Sequence, residues 1–215
     1  MPEGTYPMNI IRSIRTIEGF TEAGIKEKGS VFTGQAYFMS NSDDCLKKLN
    51  EIKKEFYDAT HHCYCYKLNT GEIKYSDNGE PSGAAGIRIL NAIEHFDLTD
   101  ILVVVIRYSG GTKLGVGPLG KAYYESALTV LKSSQIIVKN PYQKVSIMTN
   151  FDKMGHVFRL ISVFNSKKII SDYKENIVEI TCFLIANDVS AFQEQIREYS
   201  QGDKEIKITS EIIYL

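Results

Sequence analysis

The N-terminal half of the chain alternates between strand-like and helix-like patterns of hydrophobic residues. Segments 10–17 and 29–39 are rich in β-branched and aromatic residues and predict two strands, which we expect to pair antiparallel through the glycine-containing stretch 19–29. A polar start followed by apolar residues at helical spacing predicts a helix over 41–56. A further strand is predicted at 59–68.

The central part of the chain contains a strand between two glycine-dense turns. Residues 101–106 are apolar at every position, which is typical of a central strand buried on both faces. After the first turn, we expect Ser82 to cap a helix that begins at Gly83. After the second turn, we expect Pro118 to occupy the first helical position, in a helix whose apolar stripe includes Tyr123.

The pattern restarts in the last third of the chain. Strands and helices are predicted there in the order βαββαβ, the split unit of a ferredoxin-like fold. We therefore predict an α+β protein with two domains, residues 1–134 and 135–215, and a boundary segment at 132–140. The helices of the first domain are expected to lie mainly on one face of its sheet.

Composition narrows the class of protein. The chain has 215 residues, 43% of them apolar and 24% charged, which is typical of a soluble globular protein. A formal net charge of −1 gives no global basic footprint, so any RNA contact must come from local patches. Because no apolar run approaches the roughly 18 residues of a membrane span, we expect a cytoplasmic protein without a membrane partner. The four cysteines lack zinc or redox spacing, and we expect neither metal nor cofactor.

The second glycine-rich turn is a candidate anion site because it leads into a helix N-terminus. Such an end leaves about four backbone N–H groups unpaired and carries roughly half a positive charge. The alternative is that the glycines only allow positive φ and tight packing. The sequence of the turn matches neither GxxxxGK[ST] nor GxGxxG, the two common phosphate-binding motifs. The residues expected to bind an anion or nucleic acid are Arg88, Arg107, Ser109, Gly110, Gly111, Lys113, Gly115, Gly117 and Lys121.

The first turn and the strand before it supply the catalytic candidates His61, His62, Asp77 and Glu80. The two carboxylates could coordinate a cation or act as a base, although carboxylates are also common in surface turns. Because neighbouring strand residues point to opposite faces, the two histidines cannot both line one site. Either histidine could instead be a structural residue, or one could carry a proton near neutral pH.

Three ordered motifs resemble those of the YigZ/IMPACT family: ATHHCYCY, YSDNGEPSGAAG and RYSGGTKLGVGPLGKAY. The likeness covers roughly residues 12 to 134, and the remainder resembles the additional C-terminal domain of bacterial two-domain members. The resemblance implies an N-terminal domain of the ribosomal-protein-S-five second-domain type, a ferredoxin-like C-terminal domain similar to one in elongation factor G, and a link to translation. The eukaryotic IMPACT protein regulates translation initiation by competing for a partner of the general-control kinase.

Three positions depart from the family pattern. The family usually reads D-D-G-E-P where this chain has Asn78, which weakens a paired-carboxylate metal site. The following stretch usually reads G-T-A-G-x-P, whereas this chain has Ala84 and Arg88. The alanine removes one candidate hydroxyl ligand.

Two classes of function remain open. The first is a translation-associated binding or regulatory protein that contacts RNA, the ribosome or a translation-factor partner through the glycine-rich helix N-termini. The second is an enzyme acting on a phosphorylated or nucleotide substrate, with a histidine as general base and the turn carboxylates around Mg²⁺. We favour the binding protein because the spacing supports no Ser–His–Asp or Cys–His nucleophile.

Overall fold

A computed structural model describes residues 12–175, 177–200 and 206–215. The chain divides into two compact units, one of Ile14–Val138 and a second that contains Lys139–Leu215. Each unit combines a β-sheet with helices, so the predicted α+β class is confirmed. None of the helices among the described residues is long and apolar enough to cross a membrane.

The first unit is built around a five-stranded antiparallel sheet. Its elements in chain order are β1 (Ile14–Ile17), β2 (Phe20–Glu27), β3 (Ser30–Phe38), α1 (Ser42–Glu55), β4 (His61–Lys67), β5 (Ile73–Ser76), α2 (Gly86–His95), β6 (Ile101–Tyr108), α3 (Val116–Ser133) and β7 (Ile136–Lys139). The strand order in the sheet is β2-β3-β6-β4-β5, and β1 pairs with β7 separately. Strand β6 therefore lies at the centre of the sheet.

Strand β6 is buried on both faces, as its apolar sequence predicts, and each face packs against different helices. Val103 and Val105 belong to the core beneath α2 and α3. Leu102 and Val104 belong to the core beneath α1. Two of the three helices thus lie on one face of the sheet, which is the face that carries the candidate site.

Two strands form where the sequence predicted connections. The stretch 19–29 contains β2, which pairs with β3, so the predicted pairing of 10–17 with 29–39 is wrong. Strand β1 pairs instead with β7, which lies inside the predicted boundary segment. Strand β2 escaped prediction because it is an edge strand in which every second residue is exposed. Residues 10 and 11 lie outside the described part of the chain.

Helices α2 and α3 do not begin where the sequence predicted. Helix α2 begins at Gly86 rather than Gly83, and Ser82 is not its cap. Helix α3 begins at Val116, which makes Pro118 its third residue rather than its first. Proline is still tolerated there, because N–H groups of the first turn have no partner within the helix.

The second unit has the βαββαβ order that the sequence predicts. Its elements are β8 (Pro141–Asn150), α4 (Phe151–Val163), β9 (Lys167–Lys174), β10 (Ile177–Ile185), α5 (Val189–Ser200) and β11 (Ile206–Tyr214). The strand order is β11-β8-β10-β9 with antiparallel neighbours, which confirms the ferredoxin-like arrangement. Ile147 and Ile180 of the sheet share a core with Val157 of α4 and Phe192 of α5.

The glycine-rich loop after β6 passes directly against the turn between β2 and β3. A Cβ atom on Gly110 would lie 2.2 Å from the carbonyl carbon of Gly29, and a backbone atom cannot turn aside as a flexible side chain can. Around Gly117, in contrast, nothing lies within 4 Å of the same position. Packing therefore requires glycine at residue 110 and does not require it at residue 117.

We expect Gly110→Ala to lower the free energy of unfolding by about 1–3 kcal/mol, because the added methyl group forces two backbone segments apart. Gly117→Ala is the matched control and should be neutral or slightly stabilising, since alanine favours a helix over glycine. Urea unfolding followed by circular dichroism measures both variants. Equal stability of the two would contradict the close packing of the loop against the turn.

Candidate functional site

A buried ion pair joins the first glycine-rich turn to the end of β6. The side chain of Glu80 is 4% exposed and that of Arg107 is 8% exposed. Nη1 of Arg107 donates to Oε1 of Glu80 at 2.5 Å, and the hydroxyl of Tyr123 on α3 donates to the same oxygen at 2.7 Å. Nε2 of His61 on β4 lies 3.7 Å from that oxygen. Residues from two strands and one helix therefore converge on a single carboxylate.

The register of the sheet brings Arg107 to this point. Phe32 on β3 and His61 on β4 lie opposite it on either side. The guanidinium carbon is 5.3 Å from the centroid of the Phe32 ring, within range of a cation–π interaction. Arg107 was predicted to bind an external anion, whereas Nη1 of this buried side chain is occupied by Glu80. Removing either charge would leave the other buried without a partner, which is strongly destabilising.

Asp77 caps helix α2 from outside the helix. Its carboxylate accepts the N–H groups of Gly83 and Ala85 at 2.9 Å and that of Gly86 at 2.8 Å. This cap replaces the one predicted at Ser82, and it explains why the helix begins after an alanine. Burial acts to raise the pKa of Asp77, but the three N–H donors outweigh it and lower the pKa below 3.8.

The two histidines lie on opposite faces of the sheet, as predicted. Nδ1 of His61 is 2.8 Å from the carbonyl oxygen of Asn78, and this is the ring beside Glu80. Nε2 of His62 is 3.0 Å from the carbonyl oxygen of Phe56, at the end of α1, and burial lowers the pKa of His62. Asn78, one of the three departures from the family pattern, accepts the backbone N–H of His62 with its side chain.

A cleft of about 360 Å³ opens beside the ion pair. Glu80 and Arg107 line its polar part, and Pro81, Leu114 and Leu119 provide apolar walls. The glycine-rich loop forms the remainder. The residues of the predicted anion site that line this cleft are Arg107, Ser109, Gly111, Lys113 and Gly115.

The other basic side chains of the predicted anion site line a separate groove between α2 and α3. Arg88 and Lys121 are exposed and border a depression of about 380 Å³ together with Gly117. On its other side, Lys121 borders a third depression that contains Glu27 and Glu125. Eight of the nine predicted anion-binding residues therefore divide between two concave surfaces that adjoin the N-terminal part of α3, whereas Gly110 packs against Gly29.

Two of the loop amides that the sequence analysis assigned to an anion already have protein partners. The N–H groups of Ser109 and Gly110 donate to side-chain hydroxyl oxygens at 3.0 and 3.1 Å. The first turn of α3 offers the N–H groups of Val116 and Gly117, while Pro118 has none. An anion would accordingly meet the helix end rather than the first residues of the loop.

Sequence reasoning missed the hydrogen bond between Tyr123 and Glu80, because the tyrosine was assigned only to the apolar stripe of α3. It also left Arg107 without an internal partner. The sequence did contain one indication of such a partner. Arg107 directly follows an entirely apolar run on a central strand, and a buried arginine is rarely found without a paired anion.

Neither a metal-binding cluster nor a reactive thiol is found at this site within the described residues. Within the described ranges, no group of three or more His, Cys, Asp or Glu side chains could hold a metal ion. The Sγ atom of Cys63 donates to the carbonyl oxygen of Asp77 at 3.0 Å, and burial raises the pKa of this thiol to about 12. The reactive thiolate is therefore scarcely populated near neutral pH.

We expect ionised Asp77 to stabilise the fold above its ordinary pKa of 3.8, and this contribution to be lost as the pH falls further, because folding lowers the pKa. Asp77→Asn should be less stable than the parent by about 1–3 kcal/mol at neutral pH, with a shallower loss in acid. Urea unfolding at a series of pH values measures this. Asp43→Asn, at an exposed helix start, is the control and should shift stability by less than about 0.5 kcal/mol. Coincident pH profiles of parent and Asp77→Asn would exclude the capping role.

Comparison with known proteins gives the same family that the motifs indicate. Residues 28–131 match the Impact N-terminal domain. The chain is 30% identical to the IMPACT family member YvyE of Bacillus subtilis (strain 168) over 210 residues, which covers 96% of this chain and 95% of that protein. It is 27% identical to the IMPACT family member YigZ of Escherichia coli (strain K12) over 162 residues, which covers 74% of this chain and 79% of that protein.

A solved structure, titled as the crystal structure of a hypothetical protein, shares the fold. Its TM-score is 0.69 at 24% sequence identity, and the match covers 94% of this chain and 100% of that one. The glycine-rich turns, the Arg107–Glu80 pair and all but the last two residues of helix α3 lie within the segment that matches the Impact domain. With full-length similarity to YvyE, the chain belongs to the YigZ/IMPACT family.

Proposed function

We propose that this protein is a translation-associated binding protein that contacts RNA, free or within the ribosome, through the surface around the N-terminal part of α3. The observation that supports this most is the distribution of cations. Arg88, Lys113 and Lys121 are exposed on the concave surfaces beside this helix, whereas Arg107 is buried and neutralised by Glu80. The resemblance to the family supplies the link to translation.

The electrostatics of this surface favour a phosphodiester backbone. Helix α3 has 18 residues, and its N-terminal end carries a partial positive charge. The N–H groups of Val116 and Gly117 lie between the lysine of the loop, Lys113, and the lysine of the second helical turn, Lys121. Phosphates spaced along one RNA strand can meet such separated donors, and contacts of this kind position RNA without reading its sequence.

A translation-factor protein is the alternative partner, because an acidic protein surface would be attracted by the same cations. Either partner would be met in the cytoplasm. The steepness of the salt dependence separates the two, since release of condensed counterions is characteristic of nucleic acid.

An enzyme acting on a phosphorylated or nucleotide substrate is the second candidate. The buried Glu80 beside a cleft favours it, because active sites often contain a desolvated carboxylate with defined partners. The catalytic roles of the other candidate residues are less well supported. His62 lies on the other face of the sheet, and the carboxylate of Asp77 is occupied by three N–H groups. Incubation with a panel of nucleotides and sugar phosphates, with product detection, tests for turnover.

We expect Lys113→Ala, Lys121→Ala and Arg88→Ala each to weaken binding of a short fluorescent single-stranded RNA by about 3- to 10-fold at low salt. Each should also reduce the slope of log affinity against log salt by about 0.7, the value for one neutralised phosphate contact. Fluorescence anisotropy at several salt concentrations measures both quantities. Melting temperatures should remain close to that of the parent, because all three side chains are exposed.

Lys54→Ala is the matched control, since Lys54 is an exposed lysine on α1, across the sheet from the proposed surface. It should bind RNA as the parent does. If all four variants bind alike, or if the parent binds neither RNA nor ribosomes at low salt, the RNA proposal fails.

A further inference from the structure

The polar floor of the 360 Å³ cleft is only partly used by the protein. The three groups that approach the Glu80 carboxylate, from Arg107, Tyr123 and His61, all meet Oε1. A carboxylate has two oxygens and about four acceptor positions. The three contacts at Oε1 leave Oε2 to the cleft, which Glu80 lines. Oε2 is also not one of the fully buried atoms that lack a partner among the described residues.

Arg107, which also lines the cleft, carries an incompletely satisfied donor. Its Nε atom is buried and has no hydrogen-bond partner in the described structure, although Nη1 and Nη2 are paired. An unsatisfied polar atom in a native protein calls for an explanation, and a missing ligand or water is one of the usual ones. Two side chains that are more than nine-tenths buried thus line the cleft: Glu80 carries an available acceptor, and Arg107 carries a buried donor without a partner among the described residues.

The remainder of the cleft suits a flat apolar ring with a charged group at the entrance. Pro81, Leu114 and Leu119 form apolar walls, and Gly111 leaves open space because nothing lies within 4 Å of a Cβ position there. Lys113 is exposed on the loop at the entrance. The volume is within the range of about 300–1,000 Å³ found for small-molecule sites.

We propose that this cleft receives one nucleobase of the bound RNA, with an N–H group of the base donating to Oε2 of Glu80 and a neighbouring phosphate at Lys113. This inference rests on the proposed function and names what the cleft recognises. It assigns two roles to the surface around α3: the exposed cations hold the backbone, and the cleft holds a base. Apolar contact with the ring and the hydrogen bond to Glu80 together make base-bearing RNA bind more tightly than its backbone.

Other ligand classes fit these charges less well. A phosphate or carboxylate on the floor would be repelled by Glu80, so that an anion belongs at the entrance. A lysine or arginine side chain from a protein partner could donate to Glu80 but would pass Lys113, which repels it. A nucleobase is neutral, carries N–H donors beside acceptors on one edge, and is joined to a phosphate.

The test compares a short oligo(A) with an abasic oligomer of the same length and with an oligomer of N6,N6-dimethyladenine. Fluorescence anisotropy with the full chain should show the oligo(A) binding about tenfold more tightly than the abasic backbone, and the dimethylated oligomer losing part of that gain. Because these changes are in the ligand, they require no altered protein to fold.

Protein variants then test the acceptor itself. Glu80→Gln keeps the shape and a carbonyl oxygen for Arg107, but it removes the negative charge and one acceptor oxygen. Because the loss of the charge lowers stability, binding is measured well below the melting temperature of the variant. There the preference for base-bearing RNA should fall to about twofold or less while binding of the abasic backbone persists. Tyr123→Phe is the matched control: it removes a donor from Oε1, leaves Oε2 unchanged and should retain the preference.

The outcomes separate the two proposals. Equal affinity for oligo(A) and the abasic oligomer overturns the base site but leaves backbone binding intact. An unchanged preference in Glu80→Gln, or equal affinity for the methylated and unmethylated bases, excludes Glu80 as the acceptor. If neither oligomer binds, both proposals fail.

Discussion

The buried pair of Arg107 and Glu80 is the interaction on which the arrangement of the first unit's site depends. An arginine at the end of the central strand has been removed from water, and this is tolerated only because a carboxylate with further hydrogen bonds meets it. Glu80 belongs to a turn, Arg107 to β6 and Tyr123 to α3, so that one carboxylate fixes three parts of the chain relative to one another. Such a pair contributes little net stability. Its effect is to define where the turn, and with it one wall of the cleft, must lie.

The turn that carries Glu80 is anchored by all three polar residues of its D-N-G-E-P segment. Asp77 holds the start of α2, Asn78 holds the backbone of β4 through His62, and Glu80 holds β6 and α3. Side chains that resemble a metal or acid–base site in the sequence are thus used to fix backbone in place. A rigid turn beside a glycine-rich loop favours binding, because a preorganised site loses less conformational entropy when it binds its ligand.

The features that sequence analysis predicted correctly are those encoded by neighbouring residues. The burial of β6 followed from its unbroken apolar run, the start of α1 from the polar residues at 41–44, and the opposite faces of the two histidines from the period of a strand. The βαββαβ order of the second unit followed from its periodicity in the same way.

What could not be predicted depends on residues far apart in the chain. The cap of α2 comes from Asp77, nine residues before the helix begins, so the nearer Ser82 was chosen instead. The partner of Arg107 lies 27 residues away, and without that partner the arginine looked free to bind an anion. Strand β2 has the weak alternation of an edge, and only its pairing with β3 reveals it.

The contact between Gly110 and Gly29 has a consequence for how this chain tolerates insertions. Because the two backbones touch, the position of the loop beside the cleft is set by the turn between β2 and β3, a turn that lies about eighty residues earlier in the chain. Lengthening that turn by one residue would displace the edge of the cleft even though every strand still paired. At Gly71, in the turn between β4 and β5, nothing lies within 4 Å of a Cβ position, and the contact of that turn through Asn69 is with Asp100 rather than with the cleft. An epitope tag or a fluorescent label is therefore better inserted at Gly71 than at Gly29, although both are exposed hairpin turns of one sheet.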